Sequence, residues 1–245
     1  MFATNMFVYD GRMAPRTPVG RRDRPAKPAL TREGIVAAAV AVLRAEGLER
    51  VTMRRLAAEL DTGPASLYVY VRDTAELHAA VLDDFLAGVD LDPAPGDWRD
   101  RVWTVLESYV ALLLEHPGLA RVALVVRPHG PHYLALVEAV LALLDAGGVP
   151  PDRAAWAVDV LLLVATATAV EQGTRGERPD HRDHDALIGA ITGADPAAYP
   201  HLAALGADLW SGPGPARARW FVDVLLAGAL VAPRPATLPH TKETP

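Results

Sequence analysis

The chain has 245 residues, 51% apolar but only 6% aromatic, so a sizeable core must be filled mainly by Ala, Val and Leu. The absence of cysteine excludes disulfides and Cys-ligated zinc and fits a reducing cytoplasm, the expected compartment. No uninterrupted apolar run reaches the roughly 18–20 residues that span a bilayer, so no membrane partner is expected. The N-terminus also lacks the charged, apolar, small-residue order of a secretory signal.

The net charge of -6 conceals an asymmetry. Residues 11–72 hold 12 Lys/Arg against 6 Asp/Glu, whereas the remainder holds 12 against 24. A basic N-terminal part joined to an acidic remainder points to one segment that meets a polyanion. A solvated basic face would show the same balance, so charge alone does not decide.

Residues 1–28 carry Pro15, Pro18, Pro25 and Pro28, a cationic run Arg21, Arg22, Arg24 and Lys27, and no apolar periodicity. They are predicted to be a disordered basic arm, either idle or reaching a DNA minor groove. Beyond them the chain is predicted to be all-α, because Val, Ile and Thr never alternate with polar residues for long enough to suggest a sheet. The first helix, 31–46, has Thr31 as N-cap, buries Ile35, Val36, Ala39, Val42 and Leu43, and stops at Gly47. The second, 52–60, starts at Thr52. The third, 64–69, has Pro64 at a first helical position. The fourth, 74–89, has the capping-box spacing Asp73 and Glu76 and the stripe Leu77, Val81, Phe85 and Val89.

Pro93 to Gly96 marks the domain boundary, between a helix-turn-helix DNA-binding domain at 29–92 and a helical effector-binding and dimerisation domain at 97–232. Helices are predicted there at 97–115, 117–126, 131–146, 152–172, 196–210 and 215–231. Residues 174–185 read as a flexible charged loop and 233–245 as a disordered Pro-rich tail. The run from Asp180 to Asp185 places His181 and His184 among carboxylates, but Arg182 and the loop context favour solvated side chains over a metal site.

The segment from Val51 to Val71 carries the chemistry. Leu56, Ala57 and Leu60 give one helix an inward face, with Ala57 small where a second helix crosses. Asp61, Thr62 and Gly63 make the turn, with Gly63 available for an unusual backbone angle. Leu67 anchors the next helix. Pro64, Ala65, Ser66, Tyr68, Val69 and Tyr70 remain near its outer side. In a helix-turn-helix the second helix enters the major groove with its N-terminal residues at base edges. Thr52, Arg54 and Arg55 then sit beside the sugar-phosphate backbone. Tyr68 and Tyr70 have core aromatic as the competing reading, and the two arginines could be ordinary solvated ones.

This string resembles the tetracycline-repressor family of transcriptional regulators over residues 31–85. The resemblance is carried by the Thr52-initiated helix, the Leu56-Ala57 pair, the turn Asp61 to Gly63 and the stretch Leu67-Tyr68-Val69-Tyr70-Val71. It implies that Pro64, Ala65, Ser66 and Val69 meet bases of a double-stranded operator, and that Thr52, Arg54, Tyr68 and Tyr70 meet phosphates. Two positions depart from the family pattern: Thr74 stands where a phosphate-gripping lysine is usual, and Asp61 where glycine is usual. Ser66 is the only obvious polar base reader, so shape readout and apolar contacts to thymine methyls carry more weight.

In the second domain, residues 154–170 hold a single charge, Asp159, and the last helix carries Trp220, Phe221, Val224, Leu225, Leu230 and Val231. Helices apolar all round must be covered all round, by a two-fold copy or by the monomer's own core. The resemblance implies a homodimer and a pocket for a small hydrophobic effector. Its candidate lining is Trp103, Leu106, Tyr109, His116, Val126, Arg127, Tyr133, Leu136, Trp156, Val160, Leu163 and Thr166. Arg127-Pro128 followed by Tyr133 looks like the same stretch in tetracycline-binding members. Their metal-binding histidine, four residues earlier, is replaced here by Ala123, so Mg-tetracycline is not the expected ligand. No cofactor and no metal are expected. The reading is a ligand-responsive repressor and not an enzyme, with an activator or ligand-independent regulator as the alternative. An all-helical enzyme is remote, because the sequence offers no phosphate loop and no nucleophile–base spacing.

Overall fold

The computed structural model describes residues 29–126, 128–177, 182–206, 208–209 and 211–235, side chains at 175–177 and 182–184 excepted. The basic arm and the end of the C-terminal tail lie outside the described residues. Within them the chain forms eleven α-helices and no strand.

Helix α1, Arg32–Glu46, begins where the Thr31 hydroxyl accepts the Gly34 N–H at 3.0 Å. It ends at Gly47, whose φ of 88° lets its N–H return to the Leu43 carbonyl. A single 3-10 turn, Leu48–Arg50, leads to α2, Met53–Glu59, capped by Thr52 through the Arg55 N–H. Helix α3, Pro64–Leu67, is shorter than expected. Helix α4, Thr74–Leu86, starts where Asp73 accepts the Glu76 N–H at 2.8 Å. The Glu76 carboxylate reaches back to the Arg72 N–H at 2.9 Å, one residue beyond an ordinary capping box.

Helix α1 packs on α2 and α4, and α2 packs on α3. The His78 ring ties α4 to the Val51 carbonyl at 3.1 Å. The predicted α4 stripe Leu77, Val81, Phe85 and Val89 is buried, but so are Ala79, Leu82, Asp83 and Leu86. Helix α4 is covered on a second side because α6 and α7 lie against it.

The second half is α5 (Trp98–Glu115), α6 (Pro117–Val125), α7 (Pro131–Ala146), α8 (Pro151–Glu177), α9 (Arg182–Thr192), α10 (Pro200–Leu205) and α11 (Gly214–Val231). Helices α5 and α8 form its centre, with α6, α7 and α11 around them. Leu113, Leu119, Leu136, Leu144, Leu161 and Leu226 are fully buried, each contributing about 1.5–3 kcal/mol through loss of water contact.

Several expectations change. The left-handed residue of the turn is Asp61, with φ 47°, while Gly63 has an ordinary φ of -83°. Much of the predicted loop at 174–185 is helical, in α8 up to Glu177 and in α9 from Arg182. Gly173 lowers helix stability by only about 1 kcal/mol relative to alanine, and its backbone packs near Pro117 at the start of α6. The predicted helix 196–210 reduces to Pro200–Leu205. Asp195 turns the chain before it, its carboxylate accepting the Ala197 N–H and its carbonyl the Tyr199 N–H. Pro200 has no N–H to continue a helix from Pro196. The stretch Pro151–Thr174 of α8 is long and apolar enough to cross a membrane by length and composition; here it lies among α5, α6, α7 and α11. Of the predicted tail, residues 233–235 are described, and Arg234 lies over the Trp156 ring at 4.3 Å.

Candidate DNA-reading face and effector region

Leu67 and Val71 point into the core, and the Val71 N–H donates to the Leu67 carbonyl at 3.1 Å. The three residues between them are therefore turned outward, with Tyr68, Val69 and Tyr70 exposed by 53%, 79% and 36%. Pro64, Ala65 and Ser66 are exposed beside them. Tyr68 and Tyr70 are thus surface side chains and not core aromatics. The outward surface presents two phenols, one serine hydroxyl and otherwise apolar atoms, a composition suited to phosphate hydrogen bonds and shape complementarity.

The basic residues beside this surface differ in state. Arg54 is exposed on α2. Arg55 donates through Nη2 to Glu46 at 2.7 Å and through Nη1 to Glu59 at 2.7 Å. Two carboxylates already neutralise that guanidinium, and Glu46 together with Glu59 holds its pKa above the ordinary value. The phosphate role given to Arg55 on sequence grounds is therefore not favoured by its geometry. The Thr52 hydroxyl oxygen is occupied as the α2 cap, which leaves its proton available for donation. Thr74 is the first residue of α4 and half-buried. Arg72 carries no sequence signal beyond its spacing of four to Glu76. Its side chain is 82% exposed, with Nε 3.1 Å from the Glu76 carboxylate.

The candidate effector residues divide into groups. Tyr109 and Thr166 are buried and their hydroxyls meet at 2.8 Å, bridging α5 and α8. Thr166 also donates to the Leu162 carbonyl, so its remaining capacity is as an acceptor and Tyr109 donates to it. Burial pushes the Tyr109 phenol up to about 12, with the nearby Tyr133 phenol adding to the effect. Leu106 and Leu136 are buried, and Tyr133 is half-buried. Trp103, on α5, has the Arg219 guanidinium above its ring, and Val126 ends α6. His116 packs edge-on to Phe85 of α4 at 4.5 Å, and burial pushes its imidazole below 6.5. It belongs to the joint between α4 and the α5–α6 corner.

Trp156, Val160 and Leu163 are a correction. They are 48%, 39% and 54% exposed, and Trp156 and Val160 border an outer face together with Val224 of α11. The inward side of α8 is supplied instead by Val158, Leu161, Leu162, Ala165, Thr166 and Ala169. An open groove of about 300 Å³ lies on that outer face between α8 and α11. Arg127 and the side chains of His181 and His184 lie outside the described residues. Among the described residues no group of three or more His, Asp or Glu is placed to hold a metal ion.

An N-terminal helix-turn-helix with an outward α3 surface, joined to a larger helical body, defines a DNA-binding regulator of transcription. The family description "Bacterial regulatory proteins, tetR family" matches residues 35–81, and "Tetracyclin repressor-like, C-terminal domain" matches residues 92–212. The chain belongs to the TetR family of transcriptional regulators. It is 39% identical over 133 residues to the HTH-type transcriptional repressor DrrR1 of Streptomyces coeruleorubidus, a match over 53% of this chain but only 49% of DrrR1. Among solved structures, SCO7704 from Streptomyces is 53% identical, with 86% of this chain and 100% of that one covered and a TM-score of 0.75. ActR of Streptomyces coelicolor, solved in complex with actinorhodin, is 35% identical, with 83% and 96% covered and a TM-score of 0.71.

Proposed function

We propose that this chain is a homodimeric repressor that leaves a palindromic operator when a small, largely hydrophobic molecule enters its second domain. The observation that carries the reading is the outward display of Pro64 to Ser66 and Tyr68 to Tyr70 from a segment pinned by Leu67 and Val71. Support for repression comes from DrrR1, which is named a repressor. Support for an effector comes from ActR, solved with actinorhodin and with (S)-DNPA. In this chain the interior set Leu106, Tyr109, Tyr133, Leu136 and Thr166 is apolar around a few hydroxyls, the chemistry of a small-molecule site. The exposed apolar face of α8 and α11 fits a second copy, and two copies place two reading segments about one DNA turn, roughly 34 Å, apart. Its place of action is where the DNA is, the cytoplasm of a bacterial cell.

Release requires that the effector bind one dimer conformation better than the other. The test is a gel shift of the DNA upstream of the chain's own gene, with actinorhodin as a trial effector. Specific retardation reversed by a small aromatic molecule is expected. Retardation that no such molecule reverses, together with raised transcription in vitro, would point to an activator or ligand-independent regulator. No specific retardation by a folded dimer would overturn the reading.

A further inference from the structure

Helix α4 links the DNA-reading half to the second domain, and its one buried charged residue is Asp83, 7% exposed. Among the described residues that carboxylate has no hydrogen-bond partner within its own half. Its Oδ1 accepts the Tyr133 N–H at 2.9 Å, and its Oδ2 lies 3.2 Å from Nδ1 of His132. Both partners belong to the first turn of α7, whose N-cap, Gly130, offers no side chain to close that turn. An N-cap is normally supplied by the residue at the helix start. Here it comes from a helix about fifty residues earlier in the chain. Gly130 makes room for it: a Cβ at that position would lie 2.1 Å from Asp83 Oδ2. A carboxylate at the positive end of a helix is stabilised by the unpaired N–H groups and the dipole. Within a buried joint that interaction is directional and fixes the orientation of one helix against another.

The Tyr133 backbone is held by Asp83, so a shift of the first turn of α7 is carried to α4. A crevice of about 530 Å³, bordered by Val36, Ala79, Asp84, His129 and Pro131, flanks the joint and leaves α4 space to tilt against α7.

We propose that Asp83 is a positioning residue for DNA binding: by capping α7 across the Gly130 gap it sets the angle of α4, and hence of α3, relative to the second domain. This role rests on the function proposed above.

The test uses the full chain, whose lack of cysteine allows a spin label at a single introduced site, Ala58→Cys on the exposed side of α2. The distance between the two labels in the dimer is measured free and on operator DNA. A narrow free distribution is expected for the otherwise unchanged protein. Asp83→Asn keeps the shape but weakens the cap, and should broaden the free distribution and weaken operator binding by about tenfold, the scale of one charged hydrogen bond. His132→Ala, which removes one bond at a half-exposed site, is the milder second variant should Asp83→Asn fail to fold. It should broaden the distribution less and weaken binding a few-fold. A role confined to stability would lower the melting temperature and leave the distribution at room temperature unchanged. Folded variants with the unchanged distribution and affinities within twofold would overturn the proposal. A parent protein that neither dimerises nor binds specific DNA would overturn the functional reading, and this proposal with it.

Discussion

The Arg55 guanidinium and the Glu46 carboxylate, nine residues apart in sequence, are joined by donation from both Nη2 and Nε, at 2.7 and 3.1 Å to Oε1. The pair ties the end of α1 to the start of α2, and Glu59 closes the other side of the guanidinium at 2.7 Å. Arg55→Ala is expected to lower the melting temperature while leaving the salt dependence of operator binding unchanged. Arg55 holds the Glu46 carboxylate below its ordinary 4.5. A carboxylate depressed on folding contributes stability above its unfolded pKa and loses it as pH falls through the folded value. The loss is therefore expected below about pH 4.5, and acid titration of stability should show it reduced in Arg55→Ala. A reduced salt slope in that variant would instead return Arg55 to the phosphate contacts.

Arg54 and Tyr68 should behave differently from Arg55 and from each other. Loss of one cation from a phosphate contact lowers the log–log salt slope by about 0.9, so Arg54→Ala should weaken operator binding and flatten its salt dependence by about that amount. Tyr68→Phe removes a neutral donor, so affinity should fall by about 1 kcal/mol with the slope nearly kept. Titrations at several salt concentrations separate these outcomes, and unchanged affinity in both variants would remove both residues from the interface.

The Tyr109 phenol, raised to about 12 by burial, has a clear pH consequence. In the unfolded chain it ionises near its ordinary 10.0. The folded state therefore keeps the proton longer, and the contribution is complete below pH 10 and lost between about pH 10 and 12. Tyr109→Phe should shrink this alkaline loss of stability. It should also lower stability at neutral pH by about 1 kcal/mol through the missing hydrogen bond. Ultraviolet titration of phenolate against chemical denaturation provides the check, and a Tyr109 that ionises near pH 10 in the folded protein would contradict it.

Asp61 holds the left-handed position between α2 and α3 at φ 47°. Glycine adopts this region freely, and a residue with a Cβ does so at a cost of about 1–2 kcal/mol that Asp and Asn bear best. Asp61→Ala should therefore be less stable than Asp61→Gly by about 1 kcal/mol. Equal denaturation midpoints for the two variants would show that the turn relaxes around the substitution.

Trp220 is 67% exposed on α11, one turn before Val224, which borders the α8–α11 groove. Trp220→Glu places a charge there without disturbing a buried side chain. Sedimentation should show a monomer at concentrations where the parent is a dimer, and operator affinity should fall more than about tenfold as the two reading segments separate. A variant that remains dimeric would move the interface elsewhere.

Features legible in the sequence are those that depend on a few neighbouring residues. Thr31, Thr52 and Asp73 act as helix caps because the N–H groups they serve lie three residues ahead. The spacing of Leu67 and Val71 is enough to turn Tyr68, Val69 and Tyr70 outward. Helix α8 was harder for the opposite reason. A stretch apolar on nearly every side carries no phase, so nothing in 154–170 says that Thr166 faces in while Trp156 and Leu163 face out. Only the arrival of α5, α6, α7 and α11 decides it. The same holds for Arg55, whose carboxylate at Glu46 comes from another helix, and for Asp83, whose burial depends on α7. The helix-turn-helix and its family are thus determined locally, by caps and spacing. The direction each charge faces, and how the second domain holds α4, are decided by contacts between residues far apart in the chain.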